Sequence, residues 1–239
     1  MKKGSFVVIE GPDGTGKETQ AKLLMSRFQE QRIPVEFFDL PQYETSFFGN
    51  LVGRFLKGEF GGLKEVNPYL ASLTYAGDRW QASSKINEML LGGVNVVSNR
   101  YFLSNVAHQS AKLPVEERPK FIQFLQELEY VVYGIPKEDL NIVLHIPAEI
   151  SAQLIELKKA RAYLDGGKKD IHEADVAYQL EVAGIYQDIP NFFPNIVGID
   201  CTKEGKLKTP EEIHNLVWNE VREKAFKSPE GNRGGHERR

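Results

Sequence analysis

Four apolar residues, Phe6-Val7-Val8-Ile9, run through Glu10 into Gly11-Pro12-Asp13-Gly14-Thr15-Gly16-Lys17, and an amphipathic stretch follows to Gln31. This junction constrains the fold more than any other part of the chain. A short β-branched and aromatic run is the pattern of a buried parallel strand. The loop after it fits the spacing G-x-x-x-x-G-K, and strand before plus helix after is the context in which that spacing carries chemistry. Glycines let successive backbone N–H groups turn inward around an anion. The helix N-terminus adds unpaired donors and a partial positive charge. Lys17 then reaches the outer phosphates of a nucleotide. Gly11, Pro12, Asp13, Gly14, Thr15, Gly16, Lys17, Glu18 and Thr19 are the candidate phosphate-binding residues. A glycine-rich turn without a ligand is the bland alternative, and the lysine and the following helix speak against it.

Short apolar runs continue to alternate with helical patterns. Further strands are expected at residues 35–38, 95–98, 142–144 and 196–199, and helices at 17–31, 45–58, 68–91, 114–133, 148–163, 172–189 and 210–225. Five strands separated by helices predict an α/β fold in three layers, a five-stranded parallel sheet with helices on both faces. One domain over 1–227 is expected, followed by a flexible tail over 228–239, where Gly, Arg and Glu replace apolar residues.

Composition removes several classes of function. A net charge of -3 gives no bulk attraction to nucleic acid or membrane, and the single Cys201 excludes both an intrachain disulfide and a cysteine zinc cluster. No apolar run approaches the roughly 18–20 residues that span a bilayer. The first apolar run is too short for a secretory signal. A cytoplasmic protein is expected, acting on small molecules, with no nucleic-acid or membrane partner.

The segment from Ile9 to Gln20 (Ile-Glu-Gly-Pro-Asp-Gly-Thr-Gly-Lys-Glu-Thr-Gln) resembles the opening of thymidylate kinases, which carry an E-G-x-D/E-x-x-G-K-x-T-Q pattern. Asn99-Arg100-Tyr101-Phe102-Leu103-Ser104 is similar to their D-R-[YFH]-x-x-S motif, and Val106-Ala107-His108-Gln109 extends the match. Tyr75 and Arg79 sit four apart, like the family's aromatic–arginine helix. Lys169-Asp170-Ile171-His172-Glu173 looks like its lid exit. The resemblance implies a P-loop kinase fold with a lid at about 158–173, and transfer of phosphate from ATP with Mg²⁺ to dTMP, giving dTDP. It implies that Tyr75 stacks on thymine, that Arg79 grips the acceptor phosphate, and that Arg100 lies between donor and acceptor phosphates. It puts Ser104 beside Arg100, Asn105 or Gln109 at the base edge, and Asp13 at the sugar 3′-hydroxyl. Gly14 stands where some relatives carry an arginine, so the lid supplies the cation. Arg161 is the candidate, with Lys168 and Lys169 as rivals. Lys17, Arg100 and Arg161 are the expected catalytic residues, and a homodimer is implied.

Three departures qualify the resemblance. Glu18 replaces the hydroxyl that holds Mg²⁺, and Asn99 replaces the aspartate of the D-R-[YFH] motif. A carboxylate swap around the metal is inferred, with Glu18 and Asn99 as candidate metal-site residues. No arginine follows Pro41 closely, which leaves Arg54 or Lys57 as substitutes. The alternatives are a kinase for another nucleoside monophosphate and a nucleotide-binding relative with weak catalysis.

Overall fold

The computed structural model describes residues 3–147, 150 and 175–225. Its centre is β1 (Phe6–Glu10), in which all five side chains are buried. Successive strand residues face opposite ways, so Phe6 and Val8 enter one core and Val7 and Ile9 the other. Parallel neighbours lie on both sides: β3 (Asn95–Asn99) pairs Ile9 with Asn99, and β4 (Leu140–His145) pairs Ile9 with Ile142. The outer strands are β2 (Val35–Asp39) and β5 (Ile196–Asp200), giving the order β2-β3-β1-β4-β5. The chain changes direction across the sheet at β1, and ligands of open α/β sheets bind beyond the carboxyl ends of strands at such a point.

One core packs the sheet against α3 (Pro68–Leu91), α4 (Phe102–Ser110), α5 (Arg118–Gln126) and α6 (Val176–Asp188). The other packs it against α1 (Lys17–Glu30) and α7 (Pro210–Lys224). This is the three-layer arrangement expected from the alternation of strands and helices. Caps set the helix ends. Asn67 accepts from the Tyr69 N–H at 2.9 Å and Pro68 opens α3. Thr209 and Glu212 close a reciprocal capping box on α7.

The expected helix at 45–58 contracts to α2 (Phe47–Leu56), because the Ser46 side chain caps its first turn. The expected helix at 114–133 divides into a 3-10 turn (Val115–Glu117), α5 and a π-helical turn (Glu127–Val132). A short antiparallel hairpin, β6 (Thr202–Lys203) with β7 (Lys206–Leu207), was not anticipated. Its turn places Glu204 and Gly205 both at positive φ, 52° and 74°, the twist a two-residue hairpin requires. Of the apolar residues Phe47, Phe48, Leu51 and Phe55 on α2, Phe55 is buried and meets the Tyr75 ring edge-on at 6.3 Å, Phe48 and Leu51 are half-buried, and Phe47 is exposed. The helix expected at 148–163, the lid and the tail lie outside the described residues.

Candidate active site

The phosphate loop lies at the carboxyl end of β1. Gly11, Gly14 and Gly16 adopt positive φ of 141°, 85° and 82°, so the loop uses the conformations that only glycine adopts without strain. A Cβ on Gly11 would come within 2.7 Å of the Leu144 carbonyl oxygen. Thr15 Oγ1 donates to the Pro12 carbonyl at 2.8 Å, and Lys17 Nζ donates to the same oxygen at 2.7 Å. Lys17 Nζ also lies 3.7 Å from Asp13 Oδ1.

Arg100 meets this loop from the end of β3. Its Nη2 pairs with Asp13 Oδ1, and its Nη1 lies 3.2 Å from both Ser104 Oγ and His108 Nε2. Its backbone holds a left-handed φ of 66°, uncommon for a long side chain and therefore maintained by its surroundings. Burial is the largest influence on Arg100 and opposes its charge, but Asp13 together with Tyr186, Glu10 and Tyr43 outweighs it, so the guanidinium is held above its ordinary range. The His108 ring goes the other way. Burial first, then the Arg100 charge, push it from 6.5 down to about 3. A neutral ring facing an arginine accepts through Nε2, so its proton sits on Nδ1, 3.1 Å from the Tyr178 hydroxyl. Gln179, the neighbour of Tyr178 on α6, reaches Asp13 Oδ2 at 3.5 Å.

Glu10 supports this group from below. Its buried carboxylate accepts from the Tyr101 N–H at 2.7 Å, the Ser104 N–H at 3.2 Å, Ser104 Oγ at 2.7 Å and the Tyr186 hydroxyl at 2.9 Å. An anion at the first turn of α4 also answers that helix's dipole. The Ser104 hydroxyl therefore connects Glu10 to Arg100.

A second group adjoins the first through Tyr101. Arg79 Nε and Nη2 form a fork on Glu129 at 2.5 and 2.7 Å, and Nη1 donates to the Tyr101 carbonyl at 3.3 Å. Burial opposes the Arg79 charge and Glu129 restores it, leaving the guanidinium above its usual range. Asn105 Nδ2 donates to Glu129 Oε1 at 3.0 Å and to the Ser72 carbonyl at 3.2 Å. Asn105 Oδ1 and both amide atoms of Gln109 are buried without a hydrogen-bond partner among the described residues. Buried amides in that condition are costly unless something else pairs with them. Tyr75, one turn before Arg79, is partly buried.

Other candidates stand apart. Glu18 lies in the first turn of α1, is 59% exposed and pairs with Lys22 at 2.5 Å. Asn99 Nδ2 donates to Asp39 Oδ1 at 2.7 Å, and its own Oδ1 is buried without a partner among the described residues. That orphan oxygen suits a hard cation such as Mg²⁺. Among the described residues, no cluster of three or more His, Cys, Asp or Glu is placed to hold a metal ion. Arg54 pairs with Glu59 at 2.7 Å and lies over the Phe60 ring. Asp78 ties the loop after the cis Leu40–Pro41 bond to α3 by accepting from the Gln42 N–H at 3.0 Å and from Ser46 Oγ. Arg161, Lys168 and Lys169 lie outside the described residues. Sequence reasoning missed Asp39, His108, Tyr178, Gln179, Tyr186 and Glu129. The one sequence signal for any of them was the place of His108 within the Val106–Gln109 match; the pairing of Asp39 with Asn99 follows from strand register.

Comparison with known proteins bears on the family and the fold. A family model described as thymidylate kinase matches residues 9–213. Thymidylate kinase of Mycobacterium tuberculosis (strain H37Rv) is 29% identical over 185 residues, covering 77% of this chain and 85% of the relative. That of Plasmodium falciparum (isolate 3D7) is 26% identical over 226 residues, covering 91% and 98%. The structure of Candida albicans thymidylate kinase superposes with a TM-score of 0.70 at 21% identity over 92% of each chain, which bears on the fold.

Proposed function

The chain belongs to the thymidylate kinase family, and from that premise we propose that it transfers the γ-phosphoryl group of ATP to dTMP, yielding ADP and dTDP. The observation that carries the site assignment is the meeting of the phosphate loop with Arg100 on the Asp13 carboxylate. An oxygen of the acceptor phosphate attacks the γ-phosphorus while the bond to the departing ADP oxygen breaks. Such transfers depend on positioning and charge neutralisation rather than covalent help. Lys17 exchanges the Pro12 carbonyl for β- and γ-phosphate oxygens. Arg100, held on two sides by Asp13 and by Ser104 with His108, spans donor and acceptor phosphates. Asp13 also receives the sugar 3′-hydroxyl, which favours a deoxyribose with that group free.

Arg79 takes a role different from the one expected on resemblance alone. Its charge is neutralised by Glu129 at 2.5 Å in a buried pair, so it offers an acceptor phosphate little net attraction. Positive charge for that phosphate comes from Arg100 and Lys17 instead. Tyr75 supplies the flat face for the base, and the amides of Asn105 and Gln109 serve its edge.

Mg²⁺, bound with ATP, would neutralise charge on the donor phosphates. Asn99 Oδ1, a buried oxygen without a partner among the described residues, would hold it, with the exposed first-turn carboxylate of Glu18, now engaged by Lys22, as the second candidate. Arg161 remains the assigned lid cation on the sequence alone, with Lys168 and Lys169 as rivals. A cytoplasmic homodimer completes the assignment, with Phe47 rather than the buried Phe55 of the α2 series left on the surface. An assay coupling ADP release to NADH oxidation, run with dTMP, dUMP, UMP and dCMP, tests the reading. Highest kcat/KM on dTMP supports it. Preference for another acceptor replaces the substrate, and nucleotide binding without turnover in Mg²⁺ supports the weak-catalysis alternative.

A further inference from the structure

Glu129 belongs to none of the sequence motifs, yet it is fully buried and joins two of the residues assigned to the acceptor site. It sits on the π-helical turn, where the Tyr133 N–H bonds back five residues to the Leu128 carbonyl at 2.9 Å. One extra residue per turn redirects side chains, and such turns are common at functional sites. A buried ion pair is weak evidence for stability, because desolvating two charges offsets much of their attraction. Its better-attested use is to fix geometry. Three contacts do that here. The carboxylate takes Arg79 in a two-pronged fork, which sets the plane of the guanidinium. Oε1 also accepts from Asn105 Nδ2, whose second bond goes to the Ser72 carbonyl. With the amide nitrogen committed twice, the Asn105 amide has one orientation, and Oδ1 is the atom left unpaired.

We propose that Glu129 is a positioning residue for the acceptor nucleoside, holding the Arg79 guanidinium and the Asn105 amide in a single orientation so that they present a fixed donor and acceptor pattern to the base. This rests on the assignment of dTMP as acceptor. Glutamine at 129 keeps one acceptor oxygen but sets an N–H against the other donor, so the fork on Arg79 and the bond to Asn105 cannot both persist. The Asn105 amide then turns, and an acceptor oxygen is exchanged for N–H donors at the base edge. A base that donates at its ring nitrogen loses its partner, and one that accepts there gains one.

The test is steady-state kinetics of the full chain carrying Glu129→Gln, with thermal melts alongside. The expected result is a KM for dTMP raised at least ten-fold, a KM for ATP within two-fold of wild type, and a preference for dTMP over dCMP narrowed at least ten-fold. Glu129→Asp, which keeps the charge, should recover part of each change. An unchanged KM for dTMP overturns the proposal. So does a parallel rise in both KM values with unchanged base preference, the outcome of a purely structural role. If Glu129→Gln does not fold, Glu129→Asp is judged by the same two ratios. Wild-type turnover of dTMP is measured separately, so failure of the substrate assignment appears there and not in the variant ratios.

Discussion

Replacing Glu138 with Gln should change how stability depends on pH while leaving the chemistry alone. Glu138 precedes β4, at the end of the sheet opposite the phosphate loop. It is 7% exposed, its Oε2 accepts from the Tyr130 hydroxyl at 2.8 Å, and its Oε1 is buried without a hydrogen-bond partner among the described residues. Burial is the main cause that lifts its carboxyl from 4.5 to about 7, with Glu10 and Glu129 adding repulsion against its own backbone N–H and Tyr130. The sign follows from linkage. An acid whose value is raised by folding binds more protons in the native state between the two values, so stability is lost as pH rises from 4.5 to about 7 and is level above that. At about 1.4 kcal/mol per tenfold change in proton affinity, the full effect is on the order of 3 kcal/mol. Glutamine keeps an acceptor for Tyr130 and cannot ionise. Urea unfolding of both proteins at pH 4.5, 6, 7 and 8 should show Glu138→Gln gaining about 3 kcal/mol on wild type between the first and last pH. The kcat at pH 7.5 should be unchanged. A stability difference independent of pH, or one that shrinks as pH rises, refutes the reasoning.

Lys17→Ala should lower kcat by about 10²–10³-fold while leaving the melting temperature nearly unchanged, measured by the coupled assay beside a thermal scan. Gly77→Ala drives a methyl into the Phe48 ring, whose Cδ1 lies 2.5 Å from where that carbon would be. Thermal unfolding should report a loss of about 1–3 kcal/mol. The imidazole of His108, held near 3 by burial and Arg100, should contribute no inflection to the kcat profile between pH 5 and 8; an inflection that disappears in His108→Gln contradicts this. Glu18→Ser combined with Asn99→Asp should retain more activity than either change alone, and purely additive losses in a double-mutant cycle would remove the inferred exchange of carboxylates.

The phosphate loop was legible in the sequence because its chemistry is local. Strand, glycines, lysine and helix follow one another within a few residues, and each imposes its conformation on the backbone nearby. The strand positions had the same advantage in part, since buried parallel strands are continuous apolar runs; their order in the sheet came only from the structure. The division of residues 114–133 was less accessible. Nothing in Glu127-Leu128-Glu129-Tyr130 distinguishes a π turn from one more turn of α-helix, and the choice is made by what Glu129 finds when it turns inward.

By itself the sequence determined the layered α/β class, the phosphate loop from Gly11 to Lys17 and the family. It also brought Arg100 to the end of β3, beside that loop. The tertiary structure decided which charges remain available. Arg79 and Arg100 look alike in sequence, each an arginine in a recognised motif. In the fold, Arg79 lies in a buried fork with Glu129, fifty residues away, whereas Arg100 shares Asp13 with Lys17 at the phosphate loop. A side chain's net charge depends on partners that arrive from distant parts of the chain and on the water removed around it. Neither is encoded in the spacing of neighbouring residues.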